Sequence, residues 1–202
     1  MTRPRKFLFD VGKVLLDFDF DNSLRRLLPP DLPDAEARLA KVLEPKDPFE
    51  RGDIPLESYL SHSLEHLGHN VTEEAFLAAW RNIFTANLPM WDVVRKLKTD
   101  GHELFLFSNT NSIHCPWFLE TFSIFDLFVG GTYSFMEGLI KPEPAIYQRA
   151  ITNHGLVPED TLYIDDLPAN IETGKTLGFN SHQYDINNHA AFQDWLDEQL
   201  AR

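Results

Sequence analysis

Several apolar runs of this sequence end in polar residues whose types suit chemistry on a phosphate group. In chain order these residues are Asp10, the pair Ser108 and Asn109, Lys141, and the pair Asp165 and Asp166. Carboxylates that converge from neighbouring strands make a hard oxygen site of the kind that Mg²⁺ prefers. A lysine nearby can offset the charge of a phosphate, and a carboxylate can then attack phosphorus to form an aspartyl-phosphate.

The elements that must position these residues follow an alternating order of strands and helices. The hydrophobic pattern predicts strands at 6–11, 103–107, 127–129, 161–164 and 180–184, with helices between them. Such alternation indicates an α/β fold with a parallel sheet, in which ligands bind at the carboxyl ends of the strands. We therefore expect Asp10, Ser108, Lys141 and Asp165 on one rim.

A stretch of the chain without comparable strands follows the first one. Its pattern predicts helices at 23–28, 34–43, 55–67 and 72–84, with Phe76, Trp80 and Phe84 on one core-facing stripe. We interpret residues 17–86 as an inserted helical domain, the cap. Residues 1–16 and 87–202 then form the core, expected to be a Rossmann-like three-layer parallel sheet.

Composition narrows the possible partners. The 202 residues carry a formal net charge of −13, which disfavours nucleic acid and anionic lipid as partners. The same negative charge repels an anionic substrate, so a phosphate site needs local positive charge, which a metal ion and lysine can supply.

Cys115 is the single cysteine. Because it leaves no internal disulfide, a cytoplasmic location is expected. We expect no membrane association, and a monomer or weak dimer.

The motifs together resemble those of the haloacid-dehalogenase superfamily. The matching segments read FLFDVGKVL around Asp10, FLFSNTN around Ser108, KP at Lys141, and YIDDLPANI around Asp165 and Asp166. The helical insertion is similar to the caps of one subfamily, and FERGDI at 49–54 looks like a cap segment of its sugar-phosphate members. The chain is also similar to bacterial α-D-glucose-1-phosphate phosphatases, which implies a Mg²⁺-dependent phosphatase of small phosphorylated metabolites.

The resemblance implies a role for each matched position. Asp10 would be the nucleophile and a Mg²⁺ ligand, with the Gly12 carbonyl and Asp166 as further ligands. Outside this ligand set would lie Asp165 and Asn170. The phosphate would be bound by Ser108, Asn109 and Lys141.

One departure from the family pattern concerns proton transfer. Most phosphatases of the superfamily carry an acid two residues after the nucleophile, where this chain has Gly12. The loss of a general acid costs roughly 10²–10⁴-fold in rate. We therefore expect a steep dependence on leaving-group acidity, and a preference for glycosyl 1-phosphates. Lys13 could compensate in part, and His114, close to the phosphate loop, is expected to contact substrate.

Two other functions remain open at this point. In an L-2-haloacid dehalogenase, Asp10 would attack carbon and no metal would be needed. A phosphate-sensing protein would bind the same ligands without turnover. The adjacent acids Asp165 and Asp166 favour the metal-dependent phosphatase, because two such acids at a buried strand end repel each other unless a cation or hydrogen bonds offset their charge.

Overall fold

The computed structural model describes residues 4–68 and 70–201. Its strands are β1 Lys6–Phe9, β2 Leu16–Phe18, β3 Phe84–Ala86, β4 Glu103–Ser108, β5 Gly130–Tyr133, β6 Thr161–Asp165 and β7 Asn180–Gln183. Its α-helices are α1 Phe20–Arg25, α2 Ala35–Leu43, α3 Lys46–Arg51, α4 Leu56–Leu67, α5 Glu73–Arg81, α6 Leu88–Thr99, α7 His114–Thr121, α8 Ser134–Glu137, α9 Pro144–His154, α10 Pro168–Thr176 and α11 His189–Leu200.

Five strands form one parallel sheet in the order β5-β4-β1-β6-β7. Alternate side chains of these strands enter two separate apolar clusters. Phe7 and Phe9 pack on one face of the sheet, and Leu8 packs on the other. Because both faces are covered by helices, the three central strands β1, β4 and β6 are mainly apolar. The expected Rossmann-like three-layer core is thus confirmed.

Helices α1 to α5 pack around an apolar core of their own. Tyr59, Phe76 and Trp80 are fully buried in it. The antiparallel pair β2 and β3 connects these helices to the sheet. This separate core supports treating residues 17–86 as a cap, and we keep that division as a proposal.

Two predicted elements were misplaced, and helix α3 was not predicted. The helix predicted to reach Phe84 ends at Arg81, because Phe84 pairs with Phe18 across β2 and β3. The strand predicted at 127–129 lies instead at 130–133, after a 3₁₀ helix at Ser123–Leu127. Helix α3 has only six residues, too few to produce an apolar period that the sequence could reveal.

Within the described ranges, no helix is both long and apolar enough to cross a membrane.

Candidate active site

The carboxyl ends of β4, β1 and β6 bring the polar residues together. Phe9 pairs with Ile164 across β1 and β6, so the residues that follow, Asp10 and Asp165, lie side by side. The backbone N–H of Asp10 donates to the Ile164 carbonyl at 2.9 Å and extends this pairing. Ser108 is the last residue of the neighbouring strand β4. The shared rim predicted from the sequence is therefore present.

A cavity of about 350 Å³ opens above this rim. Core residues that line it include Asp10, Gly12, Ser108, Asn109, Lys141, Asp166 and Asn170. The opposite wall comes from the cap and from the β2–β3 pair, and includes Phe18, Phe20, Lys46, Asp47, Glu50 and Phe84.

Three carboxylates converge at the strand ends, and two of them, Asp10 and Asp166, line the cavity. Asp10, Asp165 and Asp166 each offer one oxygen, and these oxygens lie within 4.8 Å of one another. A set of hard oxygen donors at this spacing suits a divalent cation.

Asp165 differs from the other two acids because its oxygens already have protein partners. Its Oδ2 accepts from Lys141 Nζ and from the Tyr163 hydroxyl, each at 2.6 Å. Its Oδ1 accepts from the Leu167 N–H and from Asn170 Nδ2, each at 2.9 Å. Asp165 therefore organises the site, which supports the outer position predicted for it and for Asn170.

Lys141 is the buried cation of the site. Its ammonium group donates to the Phe107 carbonyl at 2.8 Å and lies 3.0 Å from Asp10 Oδ1. Burial lowers the pKa of Lys141, but attraction to Asp10 and Asp165 outweighs that effect and holds the pKa above its ordinary value. The lysine is thus a permanent positive charge beside the expected nucleophile.

The two predicted phosphate-binding residues of the β4 loop are placed differently. The Ser108 hydroxyl makes one long contact, 3.3 Å to the Asn109 carbonyl, and borders the cavity. The side-chain amide of Asn109 instead clamps the backbone of Lys141. It accepts from the Lys141 N–H at 2.8 Å and donates to the Lys141 carbonyl at 3.0 Å. The Asn109 side chain therefore positions the lysine loop, and the residue also borders the cavity; its binding of phosphate stays a prediction.

Together, three ionised acids would carry more negative charge than Lys141 can balance. Burial raises the pKa of Asp10 to about 8; Lys141 opposes the shift, and Asp165 and Asp166 add to it. Burial, and then repulsion from Asp165, also raises the pKa of Asp166 to about 6. A bound divalent cation would offset this charge, so the residues present fit a metal ion.

The position of the missing acid is filled by an aromatic ring. A Cβ atom added at Gly12 would lie 2.9 Å from Phe18 Cε1. The neighbouring Lys13 turns away from the cavity: its ammonium group is bound by the Asp17 carboxylate and by the Phe18 carbonyl, the latter at 3.0 Å. Lys13 is therefore already paired on the β2 segment.

His114 lies at the seam between core and cap. Its Nε2 donates to the Trp80 carbonyl at 2.9 Å, so its Nδ1 is the acceptor that faces Asn111 Nδ2 at 3.1 Å. Burial lowers the pKa of this ring to about 3, which keeps it neutral. Its ring borders the cavity, but both nitrogens are used within the protein, so the structure lends no support to the predicted polar contact with substrate.

The cap wall is the part of the site that the sequence did not reveal. Lys46 pairs with Glu50 at 2.9 Å and with Asp47 at 2.9 Å, all three on α3. The segment 49–54 was singled out by its resemblance, but nothing in the spacing marked Lys46 or Asp47. Phe18 and Phe84 were not foreseen either, because the β2–β3 pair that carries them was not.

Comparisons with known proteins agree with this geometry. The family model described as haloacid dehalogenase-like hydrolase matches residues 7–178. The chain is 28% identical over 188 residues to a D-ribitol-5-phosphate phosphatase of Bacteroides thetaiotaomicron, covering 89% of this chain and 91% of that protein.

Two solved structures share the fold. A HAD family enzyme of Bacteroides thetaiotaomicron, crystallised with magnesium and inorganic phosphate, superposes with a TM-score of 0.77 at 23% identity, covering 91% of this chain and 96% of that chain. A predicted HAD-like hydrolase of Porphyromonas gingivalis gives 0.74 at 27% identity, covering 96% and 98%.

Proposed function

The chain belongs to the haloacid dehalogenase-like hydrolase family, and we propose that it is a Mg²⁺-dependent phosphatase of small phosphorylated metabolites with Asp10 as nucleophile. One observation carries this proposal. Three carboxylates and a buried lysine converge at the strand ends, where Asp10, Asp166 and Lys141 line a cavity of about 350 Å³. The relative named as a D-ribitol-5-phosphate phosphatase supports the same reaction class.

The metal would be held by Asp10, the Gly12 carbonyl and Asp166. Asp165 and Asn170 would stay outside the ligand set, because their side chains already bond to each other. When bound, Mg²⁺ would offset the negative charge that Asp10 and a phosphate dianion share.

The residues of the chain divide the remaining work. Lys141, 3.0 Å from Asp10 Oδ1, orients the nucleophile and offsets charge on the incoming phosphate. Ser108 binds a phosphate oxygen through its hydroxyl. Asp10 attacks phosphorus, the ester oxygen leaves as an alcohol, and water then hydrolyses the aspartyl-phosphate to inorganic phosphate.

The cavity wall supports phosphorylated sugars and polyols as the substrate class. Phe18, Phe20 and Phe84 present aromatic surface, and Lys46 and Glu50 present hydrogen-bonding groups. A carbohydrate offers both C–H faces and hydroxyl groups, which these two kinds of surface complement. Glucose 1-phosphate, suggested by the sequence resemblance, and polyol phosphates are therefore the first candidates.

The single cysteine, Cys115, is buried and free, which supports the proposed cytoplasmic location.

Release of inorganic phosphate tests this function. The protein should be assayed on sugar phosphates, polyol phosphates, nucleotides and acyl phosphates with Mg²⁺, and again with excess EDTA. We expect turnover that EDTA abolishes and Mg²⁺ restores. Turnover of 2-haloacids in excess chelator would establish the dehalogenase instead. Phosphate binding without turnover of any ester would favour the sensing protein.

A further inference from the structure

We propose that Glu50, on helix α3 of the cap, donates the proton to the leaving oxygen when its bond to phosphorus breaks. This inference rests on the phosphatase function proposed above. It answers the question raised by Gly12, which has no side chain where most family phosphatases carry an acid.

The groups beside the sequence motifs do not supply this proton. The space beside Gly12 is filled by the ring of Phe18. Lys13 is held by Asp17 and by the Phe18 carbonyl. His114 uses the proton on Nε2 to bond the Trp80 carbonyl. The donor must therefore come from another part of the cavity.

Two further acids lie among the described residues that line the cavity, Asp47 and Glu50. The Asp47 side chain is 76% exposed, whereas that of Glu50 is 10% exposed. Burial disfavours a charged carboxylate and raises the pKa of Glu50; Lys46 opposes this shift and Asp47 adds to it. Glu50 is therefore the buried acid of this wall, and its burial favours the protonated carboxyl.

The backbone of Glu50 is fixed to the phosphate loop. The Ser134 hydroxyl donates to the Glu50 carbonyl and accepts from the Thr110 N–H, the latter at 2.9 Å. Thr110 lies two residues after Ser108 at the end of β4. The Ser134 hydroxyl thus connects the backbone of Glu50 to the loop that would face the phosphate.

Two neighbours of Glu50 hold the same helix against the core. The Arg51 guanidinium donates to both carboxylate oxygens of Glu143, one of them at 2.9 Å. Gly52 ends α3 with a φ of 88°, where a Cβ would lie 2.6 Å from the Phe135 carbonyl oxygen. These contacts fix the position of α3 relative to the cavity. A general acid must be held in place in this way to reach the leaving oxygen.

The proposed step balances as follows. Asp10 Oδ forms a bond to phosphorus while the bond from phosphorus to the ester oxygen breaks. The ester oxygen takes the proton from the Glu50 carboxyl and leaves as an alcohol. The resulting Glu50 carboxylate is stabilised by the Lys46 ammonium group, 2.9 Å away. When water attacks the aspartyl-phosphate, Glu50 takes a proton from it and the starting state returns.

The experiment compares Glu50→Gln with the matched control Asp47→Asn. Asp47 lies on the same helix, lines the same cavity and pairs with the same lysine. Each protein is assayed on alkyl and substituted phenyl phosphates of graded leaving-group pKa that lack sugar hydroxyl groups. The value kcat/KM is used because it reports the first chemical step.

We expect wild type to depend only weakly on leaving-group acidity, in contrast to the steep dependence expected from Gly12 alone. Glu50→Gln should lose about 10²–10³-fold on alkyl phosphates and little on the most acidic phenols. Asp47→Asn should keep the weak dependence of wild type on leaving-group acidity, whatever its absolute rates, because it removes no proton donor.

An equal loss on every ester, or no loss on alkyl phosphates, would overturn the proposal. Glu50→Asp, which keeps the acid, should recover part of the alkyl activity, and its failure to exceed Glu50→Gln would also count against the role. Retained activity of Glu50→Gln on acidic phenols shows that the variant folds. If wild type hydrolyses none of these esters, the phosphatase function itself fails, which is a separate result.

Discussion

The two sides of the cavity are built differently. On the core side, Lys141 and Asp165 are almost completely buried and are bonded to several protein groups each. On the cap side, the Lys46 side chain is 31% exposed and the Asp47 side chain 76% exposed. The lysines of core and cap therefore differ in how strongly they depend on their protein neighbours.

This difference indicates that core and cap have different functions. A buried ion pair is costly to break, so the core rim cannot vary without loss of the site. A partly solvated pair contributes little to stability, so the cap wall can change with the substrate. We infer that the core fixes the reaction with phosphate, and that the cap determines which leaving groups are accepted.

The largest expected contrast comes from two lysines that line the same cavity. Lys141→Met would leave Asp10 and Asp165 without their buried cation. We expect the free energy of unfolding to fall by about 3–5 kcal/mol in EDTA, with activity lost on every phosphate ester. Urea denaturation and phosphate release measure the two effects.

Lys46→Met is the matched change on the cap. It should lower the free energy of unfolding by less than about 1 kcal/mol, because the side chain is partly solvated. Its activity loss should depend on the substrate and be greatest where the leaving group is a poor one. Equal losses of stability in the two variants would show that the core and cap lysines do not differ in their contribution to stability.

A smaller effect is expected at His114, which joins the two regions. Its folded pKa of about 3 lies below its ordinary 6.5. At a pH between these two pKa values, His114 therefore binds a proton in the unfolded chain and not in the folded chain. Stability should be lost as the pH falls below about 6.5, by up to roughly 1.4 kcal/mol per pH unit from this group.

His114→Gln can keep an amide donor for the Trp80 carbonyl and has no proton to bind in this range. Urea denaturation of both proteins between pH 7 and pH 5 gives the difference in slope, in which the contributions of other groups cancel. Identical slopes would show that the ring accepts a proton in the folded state and that the seam is more open than the structure indicates.

The core side could be predicted from the sequence because strand ends impose position. Once β1 and β6 are parallel neighbours, Asp10 and Asp165 must lie side by side, whatever their other contacts. The cap side could not be predicted in this way. Which residues of the short helix α3 face the cavity depends on tertiary contacts such as Arg51 with Glu143.

Closeness in sequence was also a poor guide to side-chain direction. Lys13 and His114 lie beside the motifs, yet Lys13 bonds to Asp17 and His114 bonds to the Trp80 carbonyl. Phe84 continues the helical stripe of Phe76 and Trp80 in the sequence, yet it belongs to a strand. Its pairing with Phe18 outweighs the local helical pattern.

The central claim is that the carboxylate of Asp10 becomes phosphorylated during turnover. Mass spectrometry of protein quenched in acid within a single turnover, with Mg²⁺ and an acidic phenyl phosphate, tests it directly. We predict one phosphoryl group on the peptide that contains Asp10, and none in the nearly isosteric Asp10→Asn variant, which should fold and fail to turn over. Turnover with the phosphoryl group on another residue, or undiminished turnover by Asp10→Asn, would contradict the account.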